Sequence, residues 1–311
     1  MKPPLLRILT GPTASGKTKM AVLLAQRHGW EILSADSMSI YRGMDIGTAK
    51  PSPSERMGVP HHGLDLVGPE EAFDTARYVA YADGVIAEAH ARGQEILVVG
   101  GTPLYLMALL KGFFEGPPAD PDLRKELRER ERSEPGSLHA RLSKVDPDAA
   151  QRIHRNDTKR LVRALEVFEK TGTPISRLQR QFEEGKSRYP YVGARLVLSR
   201  ECLRERVRER SMKMFDQGLV DEVRRIREGK GFGPTSEAAI GYREVLAFLR
   251  GSLPAEELVY RVRSNTHRLV RRQDTWLRTF PGLVPVQAEN CPEETVLERL
   301  ESILLPQESQ R

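Results

Sequence analysis

The chain has 311 residues, enough for about two domains of ordinary size, and its 39% hydrophobic and 30% charged content fits a globular protein. No window approaches the ~18 uninterrupted apolar residues of a membrane span, the N-terminus carries no cleavable signal pattern, and the two cysteines, Cys202 and Cys291, are too isolated for a disulfide framework or a cysteine zinc site. No membrane association and a cytoplasmic location are therefore expected. Net charge is +6, but residues 1–110 carry 10 basic and 11 acidic groups, residues 111–190 carry 18 and 14, and residues 191–311 carry 21 and 18. That late basic excess fits either solvated helix faces or a polyanionic partner, and charge alone does not choose.

In chain order, residues 5–10 read as a short apolar strand, followed by a glycine-rich turn and a helix over 17–28. Residues 30–35 form a second strand ending at Asp36-Ser37, 76–92 a helix, and 95–99 a β-branched strand ending in Gly100-Gly101-Thr102. Strands alternating with helices imply βαβ units and a parallel sheet. The pattern changes at Gly116-Pro117-Pro118, after which 120–188 shows helical periodicity, as in 121–132 and in 157–171, which stops at Gly172. Residues 194–199 read as a strand returning to the sheet, 201–278 as mostly helical, and the segment after Pro281 as one short strand and one helix. The predicted fold is α/β: a P-loop NTPase-like core with a parallel sheet (1–116 and 193–311), plus an inserted all-helical domain (117–192).

Gly11-Pro12-Thr13-Ala14-Ser15-Gly16-Lys17-Thr18 fits G-x-x-x-x-G-K-[ST] between a predicted strand and a predicted helix. Gly11 and Gly16 let the backbone wrap an oxyanion, successive amides and the helix N-terminus attract it, Lys17 adds an ammonium, and the Thr18 hydroxyl can reach Mg²⁺. The motif signals a di- or triphosphate without saying which. P-loop ATPases usually end a neighbouring apolar strand in an acid, whereas here that strand ends in Gly100-Gly101-Thr102. Asp36 is the carboxylate left at a strand's C-terminal end, where open α/β sheets place their chemistry. It reads as a general base or acceptor-orienting group, with a helix N-cap beside Ser37 as the plain alternative.

At this point the residues resemble the tRNA dimethylallyltransferases (tRNA isopentenyltransferases), of bacterial type since no C-terminal zinc finger follows. The likeness lies in GPTASGKT at 11–18, ADSMSIYRGMDIGTAKP at 35–51, HHGLD at 61–65, GGTPLY at 100–105, NDTKRLVRALEVFEKTG at 156–172, GLVDEV at 218–223, AIGYREV at 239–245 and RRQDTWLR at 271–278. It implies transfer of a dimethylallyl group from dimethylallyl diphosphate to N6 of the adenosine at tRNA position 37, beside the anticodon, with diphosphate released. The loop of Gly11, Thr13, Ala14, Ser15, Gly16, Lys17 and Thr18 would then hold the donor's diphosphate rather than ATP, with Mg²⁺ on Thr18 as cofactor.

By the same resemblance Asp36 is the general base, Lys17 stabilises the leaving group, and Thr102 contacts the target nucleotide. Contacts to the tRNA anticodon stem-loop are implied for Asp36, Ser37, Met38, Ser39, Thr102, Arg124, Lys159, Arg160, Arg163, the 238–243 segment with Arg243, and Arg271, Arg272, Gln273, Trp276 and Arg278. Lys159, Arg160 and Arg163 stand at i, i+1 and i+4, so two can share a helix face toward a phosphate backbone, a solvated face being the alternative. Residues 260–278 hold six arginines against Asp274, with Trp276 open to either core packing or base stacking. Departures from the family pattern are His267 after Thr266 and Ala238 where some members carry Arg. His61-His62 reads as a structural or pocket-wall pair rather than a metal site. A monomer is expected. The rival readings are an adenylate isopentenyltransferase acting on free nucleotide, a small-molecule P-loop kinase, and a non-catalytic tRNA-binding module.

Overall fold

The structure is a computed structural model and describes residues 3–112, 116–183 and 187–305. Residues 184–186 of the expected helical segment lie outside the described residues. The chain divides into two compact units, one of Met1–Leu109 with Tyr189–Arg311 and the other of Leu110–Arg188.

The first unit opens with β1 (Leu6–Thr10), α1 (Lys17–His28), β2 (Glu31–Ser34), a one-turn helix α2 (Pro53–Arg56), a two-residue strand β3 (His61–His62), α3 (Thr75–Ala91), β4 (Ile96–Gly100) and α4 (Pro103–Lys111). The second unit contributes α5 (Pro121–Ser133), α6 (Ser137–Val145), α7 (Pro147–Arg152), α8 (Thr158–Thr171) and α9 (Ile175–Glu183). The chain then re-enters the first unit as β5 (Tyr191–Val197), α10 (Arg200–Asp216), α11 (Leu219–Glu228), a short α12 (Pro234–Glu237), α13 (Tyr242–Leu249), α14 (Ala255–Arg278), β6 (Leu283–Gln287) and α15 (Glu293–Leu304). The predicted return strand thus starts three residues early, because Tyr191 and Val192 already pair with Leu6 and Arg7. The β3 strand is too short for any sequence period to register it. Among the described residues no helix is long and apolar enough to cross a membrane.

The six strands pair in the order β3-β2-β4-β1-β5-β6, parallel throughout. Every residue of β1, β2 and β4 is buried, as expected of parallel strands covered on both faces, and β4 accordingly reads as an unbroken apolar run. Arg7, like Thr10, is a buried polar residue of β1. Its buried guanidinium lies 4.7 Å from the Trp30 ring, pairs with Glu95 at 2.9 Å and donates to the Leu304 carbonyl at 3.0 Å, tying the central strand to α15. One core packs α1 and α15 on the sheet through Leu24, Leu97, Leu196 and Leu300. Another gathers Ile40, Tyr41 and Met44 onto Leu219, Val223, Tyr242 and Val245.

The helical unit has its own core of Leu127, Leu138, Leu142, Leu161 and Leu165. At its edge Glu166 is fully buried and accepts from the Asp120 amide at 2.8 Å, from both Arg124 nitrogens at 2.7 and 2.8 Å, and from Arg163 at 2.6 Å. Burial pushes the Glu166 carboxyl up, but Arg124, the Asp120 amide and Arg163 outweigh it and hold it below its ordinary value. Removing the carboxylate strands two half-buried guanidinium groups, so Glu166→Ala is expected to cost this unit about 3–5 kcal/mol. A thermal melt checks this; an unchanged midpoint would show that the arginines relax into water. Because the folded pKa is depressed, the contribution of Glu166 is complete above pH 4.5 and fades as pH falls through the folded value.

Candidate active site

The carboxyl ends of β2, β4 and β1 lie side by side, and the loops leaving them converge. After β1 the chain turns through the 11–16 loop into α1. Gly16 occupies the left-handed region at φ 88° and serves as N-cap without a side-chain cap, and no acid stands in the first turn. The first amides of α1 are thus left for a ligand anion. The Ser15 hydroxyl is buried in the loop without a partner.

Three cations surround this loop. Lys17 lines a cavity together with Thr13, Thr18, Asp36, Ser39, His61 and Arg210. Burial of its ammonium pushes the Lys17 pKa down from 10.5 to about 8, with Asp36 opposing and Arg210 reinforcing the shift. Burial likewise lowers Arg210, again against the pull of Asp36. Arg210 donates to the Thr48 carbonyl at 3.2 Å, while its buried Nε has no partner. Arg206, one turn earlier on α10, reaches the carbonyls of Ala14 and Ser15 at 3.5 and 3.3 Å. Two half-buried, desolvated cations and a buried, unpartnered hydroxyl are costly without an anion to complete them. The donor set therefore fits a diphosphate, and the Thr18 hydroxyl on the same cavity is a hard oxygen donor that suits Mg²⁺.

Asp36 follows β2 and its Oδ1 accepts the Met38 amide at 2.8 Å, a local turn that fixes the carboxylate. The next amide, of Ser37, donates to Thr102 Oγ1 at 3.1 Å, and the Thr102 hydroxyl lies 3.4 Å from Ser37 Oγ. Thr102 thus braces the Asp36 turn. A Cβ at Gly100 would fall 2.2 Å from the Ala35 carbonyl oxygen, and one at Gly101 would fall 3.1 Å from the Gly11 oxygen. The double glycine is what lets the Asp36 turn and the phosphate loop close on either side of the end of β4.

The 41–65 segment beyond Asp36 is pinned from the far end of the chain. Glu222 on α11 is 2% exposed and accepts the amides of Asp45, Ile46 and Gly47 at 3.1, 2.9 and 3.3 Å and the Tyr242 hydroxyl at 2.5 Å. A Cβ at Gly47 would sit 2.4 Å from the Tyr242 ring. Lys50, almost fully buried, bridges Asp45 and Asp65, each at 2.6 Å, and the Tyr41 carbonyl at 2.7 Å. His62 pairs with Glu31 at 2.6 Å, while His61 stands in the cavity wall with its pKa lowered by burial, so its ring is neutral at pH 7. Among the described residues no group of three His, Cys, Asp or Glu could hold a metal.

The remaining sequence-predicted residues fall in separate places. Met38 packs on the Ile40–Tyr242 core and Ser39 is buried. Arg243 pairs with Glu244 at 2.6 Å. On α14, Arg271, Arg272, Trp276 and Arg278 are exposed, with Arg278 held by Asp274 at 2.7 Å, and Trp276 is 41% exposed rather than packed in a core. Gln273 differs: it is buried, and both ends of its amide are engaged by backbone. In the helical unit a groove between α5 and α8 is lined by Arg124, Arg128, Arg132, Lys159 and Arg163. Since Glu166 already binds Arg124 and Arg163, the charge left for a polyanion lies on Lys159, Arg128 and Arg132, while exposed Arg160 stays near Asp157 at 3.4 Å.

Sequence reasoning missed Arg206, Arg210, Glu222 and the inward aim of Gln273. A signal existed for Arg210. Its helical neighbours at three and four positions are Val207, Lys213, Arg206 and Met214, so no acid pairs with it locally.

A parallel sheet whose first strand feeds a glycine loop, with a lysine and an arginine beside it, defines a P-loop α/β protein with a cavity suited to a phosphorylated ligand next to a carboxylate. The profile described as IPP transferase matches residues 39–280, and that described as Isopentenyl transferase matches residues 4–65. The chain is 42% identical over 292 residues to a tRNA dimethylallyltransferase of Pelotomaculum thermopropionicum, covering 93% of this chain and 92% of that one. It is 45% identical over 281 residues to one of Geobacter sulfurreducens, covering 89% and 90%. A solved full-length tRNA isopentenylpyrophosphate transferase of Bacillus halodurans superposes with a TM-score of 0.71 at 37% identity, covering 96% of this chain and 94% of the other. The chain belongs to the tRNA dimethylallyltransferase family, the IPP transferases.

Proposed function

We infer that the chain is a prenyltransferase that moves a dimethylallyl group onto tRNA, taking it from dimethylallyl diphosphate and placing it on N6 of the adenosine at position 37. The observation that carries the chemistry is one cavity with a fixed carboxylate, Asp36, facing Lys17 and Arg210. An exocyclic adenine amine is a poor nucleophile because its lone pair is delocalised into the ring. Asp36 accepts one N6 proton as the C–N bond forms and the allylic C–O bond breaks. The electron pair leaves on the diphosphate, whose growing charge is spread over the loop amides, Lys17 and Arg210. Mg²⁺ bound through Thr18 would supply further neutralisation of the diphosphate oxygens. No water needs activating, which agrees with glycines rather than an acid at the end of β4.

The base must leave the anticodon-loop stack to reach this cavity. In the helical unit the groove of Lys159, Arg128 and Arg132 suits a phosphate backbone, and on α14 Arg271 and Arg272 do so, with Trp276 exposed for stacking. The enzyme would act in the cytoplasm as a monomer. Incubation with labelled dimethylallyl diphosphate, Mg²⁺ and either an anticodon stem-loop bearing the target adenosine or free AMP is the direct test. Label is expected on the stem-loop; label on AMP alone, or no label on either while a parallel incubation with ATP phosphorylates an acceptor, would sink the reading. Replacing Lys159, Arg128 and Arg132 together by Ala is expected to cut tRNA affinity. The slope of log K against log salt should become shallower by roughly 0.7–0.9 for each RNA phosphate that is no longer neutralised. An unchanged slope would move the RNA face elsewhere.

A further inference from the structure

Gln273 belongs to α14, yet its amide is committed to two loops of the sheet edge. Its Oε1 accepts the Thr13 amide at 2.9 Å and its Nε2 donates to the Gly101 carbonyl at 2.7 Å. Only this orientation is possible, because a backbone N–H can only donate and a carbonyl can only accept. The residue after Gly101 is Thr102, which receives the Ser37 amide and so braces the turn that carries Asp36. A continuous line therefore runs from the diphosphate loop through Gln273 and Gly101-Thr102 to the carboxylate. Gly101 is confined around it, since a Cβ there would fall 2.8 Å from Gln273 Nε2.

We propose that Gln273 is a positioning residue that sets the spacing between the diphosphate loop and the Asp36 turn through Thr13 and Gly101, and that it is not an RNA contact. The proposal rests on the prenyl-transfer reading above for its kinetic consequence, but its structural content does not. Displacement at carbon needs the acceptor nitrogen, the allylic carbon and the leaving oxygen in line, and misplacement by about 1 Å costs on the order of 10²-fold in rate. By occupying the Thr13 N–H, Gln273 also decides which loop amides remain for the diphosphate. α14 does not depend on it for docking: Val270 and Leu277 are buried on the same face, and Asp274 is held by Arg195 at 3.3 Å.

The test uses Gln273→Met, which keeps the volume and removes both hydrogen bonds, and Gln273→Glu, which keeps acceptance from Thr13 but sets a carboxylate against the Gly101 carbonyl. For Gln273→Met we expect kcat to fall roughly 10–100-fold with the KM for tRNA within about threefold of the parent. For Gln273→Glu we expect activity relative to the parent to rise as pH falls, because the protonated acid regains a donor for Gly101. Unchanged kcat, a loss confined to the KM for tRNA, or a flat pH ratio would overturn the proposal. Amide hydrogen exchange over residues 11–18 reads the same hydrogen bond without turnover. At least tenfold faster exchange in Gln273→Met is expected, and an unaltered rate overturns the proposal even if the parent proves to transfer no prenyl group. Absence of transfer by the parent, with the exchange effect present, would count against the functional reading alone.

Discussion

Asp36→Asn is expected to lower turnover by roughly 10²–10⁴-fold while tRNA affinity stays within a few-fold of the parent. The amide can still receive the Met38 N–H through its oxygen, so the turn seen around Asp36 survives the change. What is lost, on the proposed mechanism, is the acceptor for the N6 proton, and with it the charge facing Lys17 and Arg210. Two readouts separate these effects. Single-turnover rates with saturating donor report the proton acceptor, whereas donor affinity reports the cations, which gain a freer hold on diphosphate once the competing carboxylate is neutral. Donor binding should therefore be equal or tighter in the variant well below pH 8, where Lys17 stays ammonium even without Asp36 to raise its pKa, while the rate collapses. Full turnover in Asp36→Asn would remove the residue from the mechanism.

Lys17 provides the second large effect, and its direction in pH follows from its environment. With a pKa of about 8 in the free protein, the side chain is ammonium below that pH and amine above it. The diphosphate of the proposed donor would bind the ammonium form, so binding would draw a proton onto Lys17 whenever the pH is near or above 8. The KM for the donor is expected to be level from about pH 6.5 to 7.5 and to rise above pH 8, approaching tenfold per unit. Lys17→Arg, whose guanidinium stays charged throughout, should flatten that rise even if its bulk lowers the rate. Lys17→Ala should lose about 10²–10³-fold in kcat/KM, as when one preorganised donor is deleted from an oxyanion site. A donor KM independent of pH up to about 9.5 would show that the ammonium does not carry the interaction.

The elements most legible in sequence were those fixed by neighbours in the chain. The phosphate loop is a matter of two glycines and a helix start within eight residues, and the strands β1, β2 and β4 read directly because each carries a short aliphatic run, Ile8-Leu9, Ile32-Leu33 and Ile96–Val99, bounded by turn residues. Asp36, Thr102 and the double glycine stood at strand ends, where the topology concentrates chemistry. What stayed hidden depends on pairings between residues far apart in the chain: Arg210 with Thr48, Glu222 with the 45–47 amides, Gln273 with Thr13. No local period records such pairings. Arg124 and Arg163 show a second kind of hidden pairing. They read as an RNA-facing set, although Glu166, three places after Arg163 on the same helix, already signalled that part of their charge was engaged.

The pinning of residues 45–47 by Glu222 and Tyr242 carries a consequence for how the molecule is made. Translation releases β1, β2, β3 and β4 first, so the strands bearing the phosphate loop and Asp36 can pair while the remaining residues are still being added. The segment beside Asp36 nevertheless lacks the Glu222 and Tyr242 contacts that pin residues 45–47 until residue 242 has left the ribosome, and Thr13 lacks its partner until residue 273 has done so. A nascent chain halted at the end of α4 should hold much of its sheet and yet offer a loose, protease-sensitive 41–65 segment. The donor and acceptor loops come from the first third of the chain, but their competence is delivered by the last, so a chain interrupted between the two has no finished site with which to sequester donor or RNA.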